Sequence, residues 1–268
     1  MKRHKMATSM IENTFKQRNL WGGIIPMQIF GIYAIYKIVV GEAPNWWWIT
    51  AISGFVLFVM IGITAGYHRM ICHKSFSTST ITKAAILFLG ALAGQESPIF
   101  WATVHRGYHH KHADSKLDVH SPRYGFWHAY ILWMFRLENN LSPRSTIDLM
   151  KDPICVFIHR HYHKILLGVH IAVAICFFDF WLYFMLLPAF IGLHSYSLNT
   201  SASHIKWFGY RSYPTSDDSV NSPFLWFFML GEAWHNNHHG DPGNANTGHK
   251  NWWELDPVYW IIKILAKL

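Results

Sequence analysis

The chain has 268 residues, of which 51% are hydrophobic and only 14% are charged, and its formal net charge is +8. Ordinary soluble domains carry about 25% charged residues, so this composition excludes a large water-soluble enzyme. It also excludes a disordered chain, which has more charge and fewer aromatic residues, and three cysteines are too few for a disulfide scaffold. Mean hydropathy is only +0.11, which indicates a membrane protein with a substantial aqueous part.

The first two apolar segments predict a membrane hairpin. A membrane-spanning helix needs about 20 mostly apolar residues, and residues 20–40 and 46–66 both meet this requirement. The linker between them is short and turn-like. Residues 84–94 are also apolar but too few to cross, so we expect an interfacial or buried helix there.

A second hairpin is predicted from a long apolar run in the second half of the chain. The run is divided by Asp179, which gives spans at 165–179 and 181–200. After it, residues 252–268 carry tryptophans and aliphatic residues among lysines, a pattern typical of an interfacial amphipathic helix. A helix packed on an aqueous domain is the alternative for this segment. The sequence therefore predicts an all-α membrane protein with four spans in two hairpins.

Basic residues are distributed unevenly about these spans. Of the 23 lysines and arginines, 22 lie before the first span, between the hairpins or after the last span, and Lys37 is the exception. The positive-inside rule then places both termini on the cytoplasmic side. Segments 67–164 and 201–268 form one cytoplasmic cap, and the whole chain, 1–268, forms a single domain. The net charge indicates attraction to anionic lipid headgroups rather than nucleic-acid binding, because the basic residues are scattered.

Eight histidines fall in three clusters near predicted membrane boundaries on the cytoplasmic side: His68 and His73; His105, His109 and His110; His235, His238 and His239. Within the second and third clusters, residues three or four apart share a helix face. An adjacent histidine pair diverges by about 100° on a helix, which suits two metal ions better than one. The first pair, five residues apart, converges only if its helix ends or bulges. Eight imidazoles exceed the four ligands of one zinc ion, so we predict two metal ions.

Other histidines are interpreted differently. His159, His161 and His163 alternate with a period of two, which spreads them around a helix, and we predict interfacial roles for them. For His170 and His194, inside predicted spans, we favour hydrogen bonds to a neighbouring helix over lining a cavity.

Together with their flanks, the clusters resemble the three histidine boxes of integral-membrane fatty acyl desaturases, which have the forms HxxxxH, HxxxHH and HxxHH. Residues 62–69, Trp101, residues 208–211 and residues 231–239 resemble the Δ9 branch, which includes the stearoyl-CoA desaturase-like and bacterial acyl-lipid enzymes. The resemblance extends over roughly residues 20–265 and implies a cytoplasmic helical cap that holds a histidine-rich dimetal site.

The resemblance implies a catalytic di-iron centre held by nine histidines. Eight are those of the three clusters, and His204, after the last span, matches the ninth. It also implies a water-mediated ligand at Asn199, although this residue lies five positions before His204 where the family pattern has four. Asp118 and Glu232 are candidates for orienting imidazoles, with helix capping or ion pairing as the alternative.

The implied reaction is O₂-dependent. Two iron ions would activate O₂ to remove hydrogen from a saturated acyl chain and leave a cis double bond at or near C9. The acyl chain would reach the irons through a tunnel between the spans and be carried by CoA, lipid or acyl carrier protein. Thr103 and Val104 replace a charged pair typical of animal acyl-CoA members, which favours a lipid or carrier protein. Electrons would come from a separate ferredoxin or cytochrome b5, and the location would be a bacterial inner membrane, or the endoplasmic reticulum in a eukaryote.

Three alternatives remain open from the sequence. A hydroxylase or acetylenase on the same scaffold begins with the same hydrogen abstraction, and the boxes do not distinguish it. A metal transporter would carry ionisable residues at mid-membrane depth, whereas these clusters lie beyond the span ends. A structural metal- or heme-binding protein does not account for the flanking motifs.

Overall fold

The computed structural model describes residues 20–136 and 141–267, which fold almost entirely into helices. The predicted cytoplasmic N-terminal segment lies outside these residues. Extended pairing within them is limited to two isolated bridges, Tyr210 with Asn221 and Asn221 with Trp234. We number the main helices along the chain as α1 Trp21–Val39, α2 Trp47–Cys72, α3 Thr80–Leu92, α4 Pro98–Val104, α5 Pro153–Cys176, α6 Phe178–His204, α7 His235–Gly240 and α8 Pro257–Leu265.

Short helical turns connect these helices. Two of them continue α4 without a break, namely His105–His109 and His110–His112. The others are Pro122–Tyr124, His128–Leu132, Trp133–Arg136, Pro143–Thr146, Leu149–Lys151, Lys206–Phe208, Trp226–Met229 and Leu230–Ala233.

In the described part of the chain, three helices are long and apolar enough to cross a membrane: α1, α2 and α6. They contain most of the predicted segments 20–40, 46–66 and 181–200. Helix α2 continues to Cys72, past the predicted end of its span, so the first histidine cluster begins on the helix itself rather than after it. Near the other end of the bundle, Lys37 Nζ on α1 lies 3.6 Å from Asp179 Oδ1 on α6, which connects these two helices.

The third predicted span, 165–179, coincides with the second half of a longer helix. Helix α5 begins twelve residues earlier, at Pro153, because Asp152 caps it and accepts hydrogen bonds from the Ile154 and Cys155 amides at 3.0 and 3.1 Å. The first half of α5 carries several charged and histidine side chains, and α5 is not among the helices of the described residues that are long and apolar enough to cross a membrane. It ends at Cys176, three residues before the predicted end.

Glycines allow α2 to approach its neighbours closely. A Cβ at Gly62 would lie 2.4 Å from the Gly90 amide nitrogen of α3, and one at Gly54 would lie 1.8 Å from the Phe184 carbonyl oxygen of α6. Small residues at such crossings are typical of helices that pack in a membrane. These contacts fix α2, which carries the first histidine cluster, against both neighbours.

The last helix starts later than the predicted segment 252–268. Pro257 stands in its first turn, and the Asp256 carboxylate accepts the Tyr259 amide at 3.1 Å, so the helix begins at Pro257 and the preceding tryptophans lie in a turn. Its Val258 and Ile262 side chains are buried, whereas Trp260 on another face is half exposed. The predicted amphipathic character is therefore present over a shorter length. The segment 84–94 forms most of α3, a helix of 13 residues that is partly buried against α2.

Candidate metal centre

Nine histidine side chains converge in two groups. The first group contains five imidazoles, from His68, His73, His105, His110 and His238. The second contains four, from His109, His204, His235 and His239. Within each group the ligand-type atoms all lie within 4.8 Å of one another. These are the nine histidines that the sequence analysis singled out, and neither group includes a cysteine within the described residues.

Wide helical turns determine which imidazoles lie in the same group. The His73 amide donates to the His68 carbonyl at 3.2 Å, so five residues separate donor and acceptor, as in a π-helix. This bulge brings together two side chains that an ideal α-helix would place nearly opposite. The His110 amide donates to the His105 carbonyl in the same way, and both imidazoles face the first group.

The sequence predicted that histidines three or four residues apart within a cluster share a helix face. This prediction is wrong for the second cluster and only partly correct for the third. His105 pairs with His110 rather than with His109, because the π-turn changes the spacing from four residues to five. On α7, His235 and His239 face the second group, while His238 faces the first. Both clusters thus contribute to both groups, as expected if adjacent histidines serve two ions.

The distances between imidazole nitrogens suit shared metal ions. Two imidazole nitrogens that each lie about 2.1 Å from one ion are roughly 3.0–3.4 Å apart for bond angles near 90–109°. In the first group, His68 Nε2 and His110 Nε2 each lie 2.9 Å from His238 Nε2. In the second, His204 Nε2 lies 3.0 Å from His235 Nε2. The inward Nε2 atoms are therefore spaced like neighbouring ligands of one ion.

Carboxylates lie against the outward Nδ1 atoms of four of these imidazoles. The pairs are His68 with Glu232 at 2.6 Å, His109 with Asp118 at 3.0 Å, His204 with Asp114 at 3.0 Å and His239 with Asp217 at 3.0 Å. A carboxylate at Nδ1 keeps the proton there and leaves Nε2 free to bind a metal. Asp118 and Glu232 were predicted for such a role, whereas Asp114 and Asp217 were not. Asp217 lies 22 residues before its partner in a loop, where no sequence periodicity points to it.

Burial keeps most of these imidazoles neutral. Burial first, and then the neighbouring histidines, lowers the pKa of His73, His105, His110, His235 and His238. For His239, burial lowers the pKa to about 4 although Asp217 opposes the shift. Neutral imidazole is the form that binds metal ions, so these ligands need not lose a proton at neutral pH.

A buried arginine ties the first group to the rest of the cap. Arg69 is 1% exposed, and its guanidinium donates to Glu232 Oε1 at 2.7 Å and to Asp256 Oδ2 at 2.6 Å. It also donates to the Ala245 carbonyl at 2.8 Å. Through Glu232, this residue fixes the position of His68.

Asn199 lies beside the site rather than within either histidine group. It is 5% exposed on α6, and its Oδ1 has no hydrogen-bond partner among the described residues. After Ser201 the α-helix changes to a 3₁₀ turn at Ala202–His204. The distance along the helix from Asn199 to His204 is therefore not that of a continuous α-helix. An unpartnered buried amide oxygen suits a bound water molecule.

An apolar cavity of about 100 Å³ adjoins the two groups. Its walls include His105, His109 and His235 together with the apolar side chains of Phe100 and Leu193. A second, smaller cavity of about 20 Å³ lies between α2 and α6 and shares two residues with the first, Tyr196 and Asn199. Tyr196 Oη lies 2.8 Å from Thr64 Oγ1 at this boundary.

The remaining histidines lie outside the two groups. His159 Nδ1 lies close to Ser97 Oγ, and His161 Nδ1 lies 3.0 Å from the Phe157 carbonyl. The imidazole of His170 lies 3.0 Å from the Leu92 carbonyl of α3. The predicted hydrogen bond from His170 to a neighbouring helix is therefore confirmed, and His170 also lines a groove between α1, α5 and α6.

The family profile described as "Fatty acid desaturase" matches residues 45–267. A similar protein is the sn-2 palmitoyl-lipid 9-desaturase of Nostoc sp. (strain 36), which is 36% identical over 79% of this chain and 75% of its own length. The sn-1 stearoyl-lipid 9-desaturase of Anabaena variabilis is 32% identical, over 85% of this chain and 81% of the relative. An acyl-CoA C20 Delta5-desaturase of Anemone leveillei is 31% identical over 92% of this chain and 81% of its own length. The profile match and these relatives agree with the histidine clusters, and the chain belongs to the fatty acid desaturase family.

Proposed function

We propose that this protein is an O₂-dependent desaturase that introduces a cis double bond, at or near C9, into a saturated acyl chain. The observation that carries the proposal is the convergence of nine imidazoles in two groups beside an apolar cavity. The names of two relatives, each a 9-desaturase of a lipid-bound acyl chain, support the position of the double bond.

Two iron ions are the proposed cofactors. The first would be held by the group of five histidines and the second by the group of four. Imidazole nitrogen suits iron, and the nitrogen spacing, the neutral state of the rings and the carboxylates at Nδ1 all fit this assignment. When bound and reduced, such a pair supplies the oxidising chemistry with O₂ that an unactivated methylene requires. Asn199 is the proposed holder of a water molecule beside this pair.

The protein's own residues would bind and orient the acyl chain. The cavity walls are mainly apolar, so they would exclude water around the reacting methylenes. Trp101 lines the cavity, and its ring centroid lies 4.8 Å from that of His105 and 5.8 Å from that of Tyr196. This indole would hold the chain against the histidine groups, and the smaller cavity between α2 and α6 would receive the methyl end.

The proposed membrane arrangement has four spans in two hairpins, α1 with α2 and the second half of α5 with α6. The contact of Lys37 with Asp179 supports it, because it places the turns of both hairpins at the same end of the bundle. The histidine groups, at the opposite end of α2 and α6, would belong to a cytoplasmic cap in a single domain of residues 1–268. Both termini would be cytoplasmic, in a bacterial inner membrane or, in a eukaryote, the endoplasmic reticulum.

The proposed partners are an acyl substrate and an external electron donor. The relatives' names include both lipid- and CoA-linked acyl chains, and carrier-protein-linked chains are a further candidate. A separate ferredoxin or cytochrome b5 is the proposed source of the electrons.

The test is expression in a host that lacks monounsaturated fatty acids, together with an electron donor, followed by mass spectrometry of the lipids. We expect a new monounsaturated acyl chain with its double bond at or near C9. His238→Ala should abolish it, and His161→Ala, outside both groups, is the matched control. Hydroxylated or acetylenic chains as the main product would identify the alternative enzymes. Absence of any product, with iron bound and the donor present, would refute the proposal.

A further inference from the structure

A second apolar recess lies on the outer surface of the helix bundle. It is a groove of about 470 Å³ between the start of α1, the second half of α5 and the start of α6. Trp21, Ile171 and Ile175 line it and are 68%, 54% and 80% exposed. Since these residues belong to the apolar part of the bundle, the groove would face the hydrocarbon of a bilayer rather than water.

One thin wall separates this groove from the cavity beside the histidines. Gly94 lines both spaces, while Met27 lines the groove and Ile24, one helical turn away, lines the cavity. Gly94 has a φ of +73°, and a Cβ at this position would lie 2.4 Å from Met27 Cε. The Met27 side chain therefore lies against Gly94 where the groove and the cavity adjoin, and that side chain is unbranched and flexible.

Hydrogen bonds hold the walls of the groove in place. His170 Nε2 lies 3.0 Å from the Leu92 carbonyl of α3, and Trp181 Nε1 of α6 donates to His170 Nδ1 at 3.0 Å. These bonds connect α5 to α3 and α6 beside the groove. Both ring nitrogens of His170 are used within the protein, so the groove offers its occupant an apolar surface that suits a hydrocarbon chain.

We infer that the groove binds a glycerolipid of the surrounding bilayer and that the reacting acyl chain passes between Met27 and Gly94 into the cavity. The inference rests on the proposed function, and it makes the substrate a membrane lipid rather than a soluble thioester. A chain delivered from the aqueous phase by CoA or a carrier protein would require no opening toward lipid. What favours lateral access is that the groove and the cavity share Gly94 and that the flexible Met27 side chain lies against this residue.

The test uses vesicles that contain dipalmitoylphosphatidylglycerol with a diazirine in one acyl chain. After illumination, the lipid adducts on the wild-type protein are mapped by mass spectrometry. We expect adducts in the groove, around Ile171, and in the cavity, around Leu193. Met27→Trp should retain the groove adducts and lose cavity adducts at least about tenfold, which corresponds to about 1.4 kcal/mol. Met27→Ala should label the cavity at or above the wild-type level, and Ile32→Trp, which adds the same bulk to the exposed face of α1, should behave like wild type.

If Met27→Trp retains the adducts in the groove, the variant is folded and still contacts the lipid. Wild-type labelling of the cavity in that variant would overturn the inference, since the chain would then enter elsewhere. The inference also fails if the wild-type cavity is labelled by a diazirine palmitoyl-CoA but not by the lipid, a result that leaves desaturation intact. If instead the adducts appear as expected but the expression host accumulates no unsaturated lipid, lateral access stands and the proposed function fails.

Discussion

Glu232→Gln tests whether a single carboxylate orients an imidazole of the five-histidine group. Glu232 Oε2 lies 2.6 Å from His68 Nδ1, and Oε1 accepts a hydrogen bond from Arg69 at 2.7 Å. When His68 Nε2 binds a metal ion, its Nδ1 carries the proton, so both neighbours of Glu232 are donors. A carboxylate accepts at both oxygens, whereas a glutamine accepts at one atom and donates at the other. In the variant, the amide NH₂ of the glutamine must therefore face either the His68 Nδ1–H or an Arg69 N–H, and both of these are donors.

The expected loss is confined to metal binding. Removing a partner that orients a metal-bound imidazole typically lowers metal affinity about 10- to 100-fold, which corresponds to about 1.4–2.7 kcal/mol. Arg69 retains its hydrogen bond to Asp256 at 2.6 Å, so its buried charge stays compensated. The fold should therefore persist while the first group binds its ion less tightly.

Competition of the purified protein with graded chelators, read out as iron per chain, measures this loss. We expect one of two irons to leave Glu232→Gln at a 10- to 100-fold lower chelator concentration than in the wild type. Asp218→Asn is the control, because the Asp218 side chain pairs with Lys206 at 2.9 Å and lies in neither histidine group. Its backbone amide donates to Asp114 Oδ2, and the substitution leaves that amide in place. Wild-type retention of both irons in Glu232→Gln would refute the orienting role of this carboxylate.

Three further predictions concern the same site. Asp217→Asn removes the carboxylate that lies 3.0 Å from His239 Nδ1, and the chelator assay should show about 10- to 100-fold weaker binding at the four-histidine group; unchanged affinity would contradict this. Arg106 donates from Nε to the Cys72 carbonyl at 2.8 Å, so Arg106→Ala should lower the free energy of unfolding by about 1–3 kcal/mol in thermal or denaturant unfolding, and a smaller change would count against that role. In the metal-free protein, burial lowers the pKa of His120 and His239 to about 4, below the value of about 6.5 in the unfolded chain. Between roughly pH 6.5 and 4 the unfolded chain then binds more protons than the folded protein. The free energy of unfolding should therefore fall as the pH decreases through this window, by on the order of 1 kcal/mol per pH unit for each histidine. Equal melting temperatures at pH 7 and pH 5 would contradict this prediction.

The clustering of the histidines along the chain identified eight of the nine side chains that converge, because each cluster is shorter than two helical turns. The ninth, His204, was predicted from the resemblance to the desaturase family. Helices α1, α2 and α6 could also be predicted from the sequence, since a long apolar run with very few charges has few alternatives to a helix. The start of α5 was not predicted, because the first half of that helix is charged and the Asp152 cap lies outside the apolar run.

The residue spacing alone could not predict which of the two groups each imidazole joins. The hydrogen bonds from the His73 and His110 amides to carbonyls five residues earlier change the faces of two helices. These wide turns are set by packing against other segments, such as Arg106, which binds carbonyls at the end of α2. Asp217 was also beyond prediction, because its position relative to His239 arises from the tertiary fold.

The two histidine groups are coupled because two helices contribute to both. His109 faces the second group from the helical segment that presents His105 and His110 to the first, and α7 divides its three histidines in the same manner. A displacement of either segment therefore moves ligands of both groups together. Rigid support of these segments matters more than the placement of any single side chain, since ligands must be held within about 0.5 Å of their working positions. The buried carboxylates and Arg69 supply that support, which gives a physical reason for so many charged residues in the interior of a chain with so few charges.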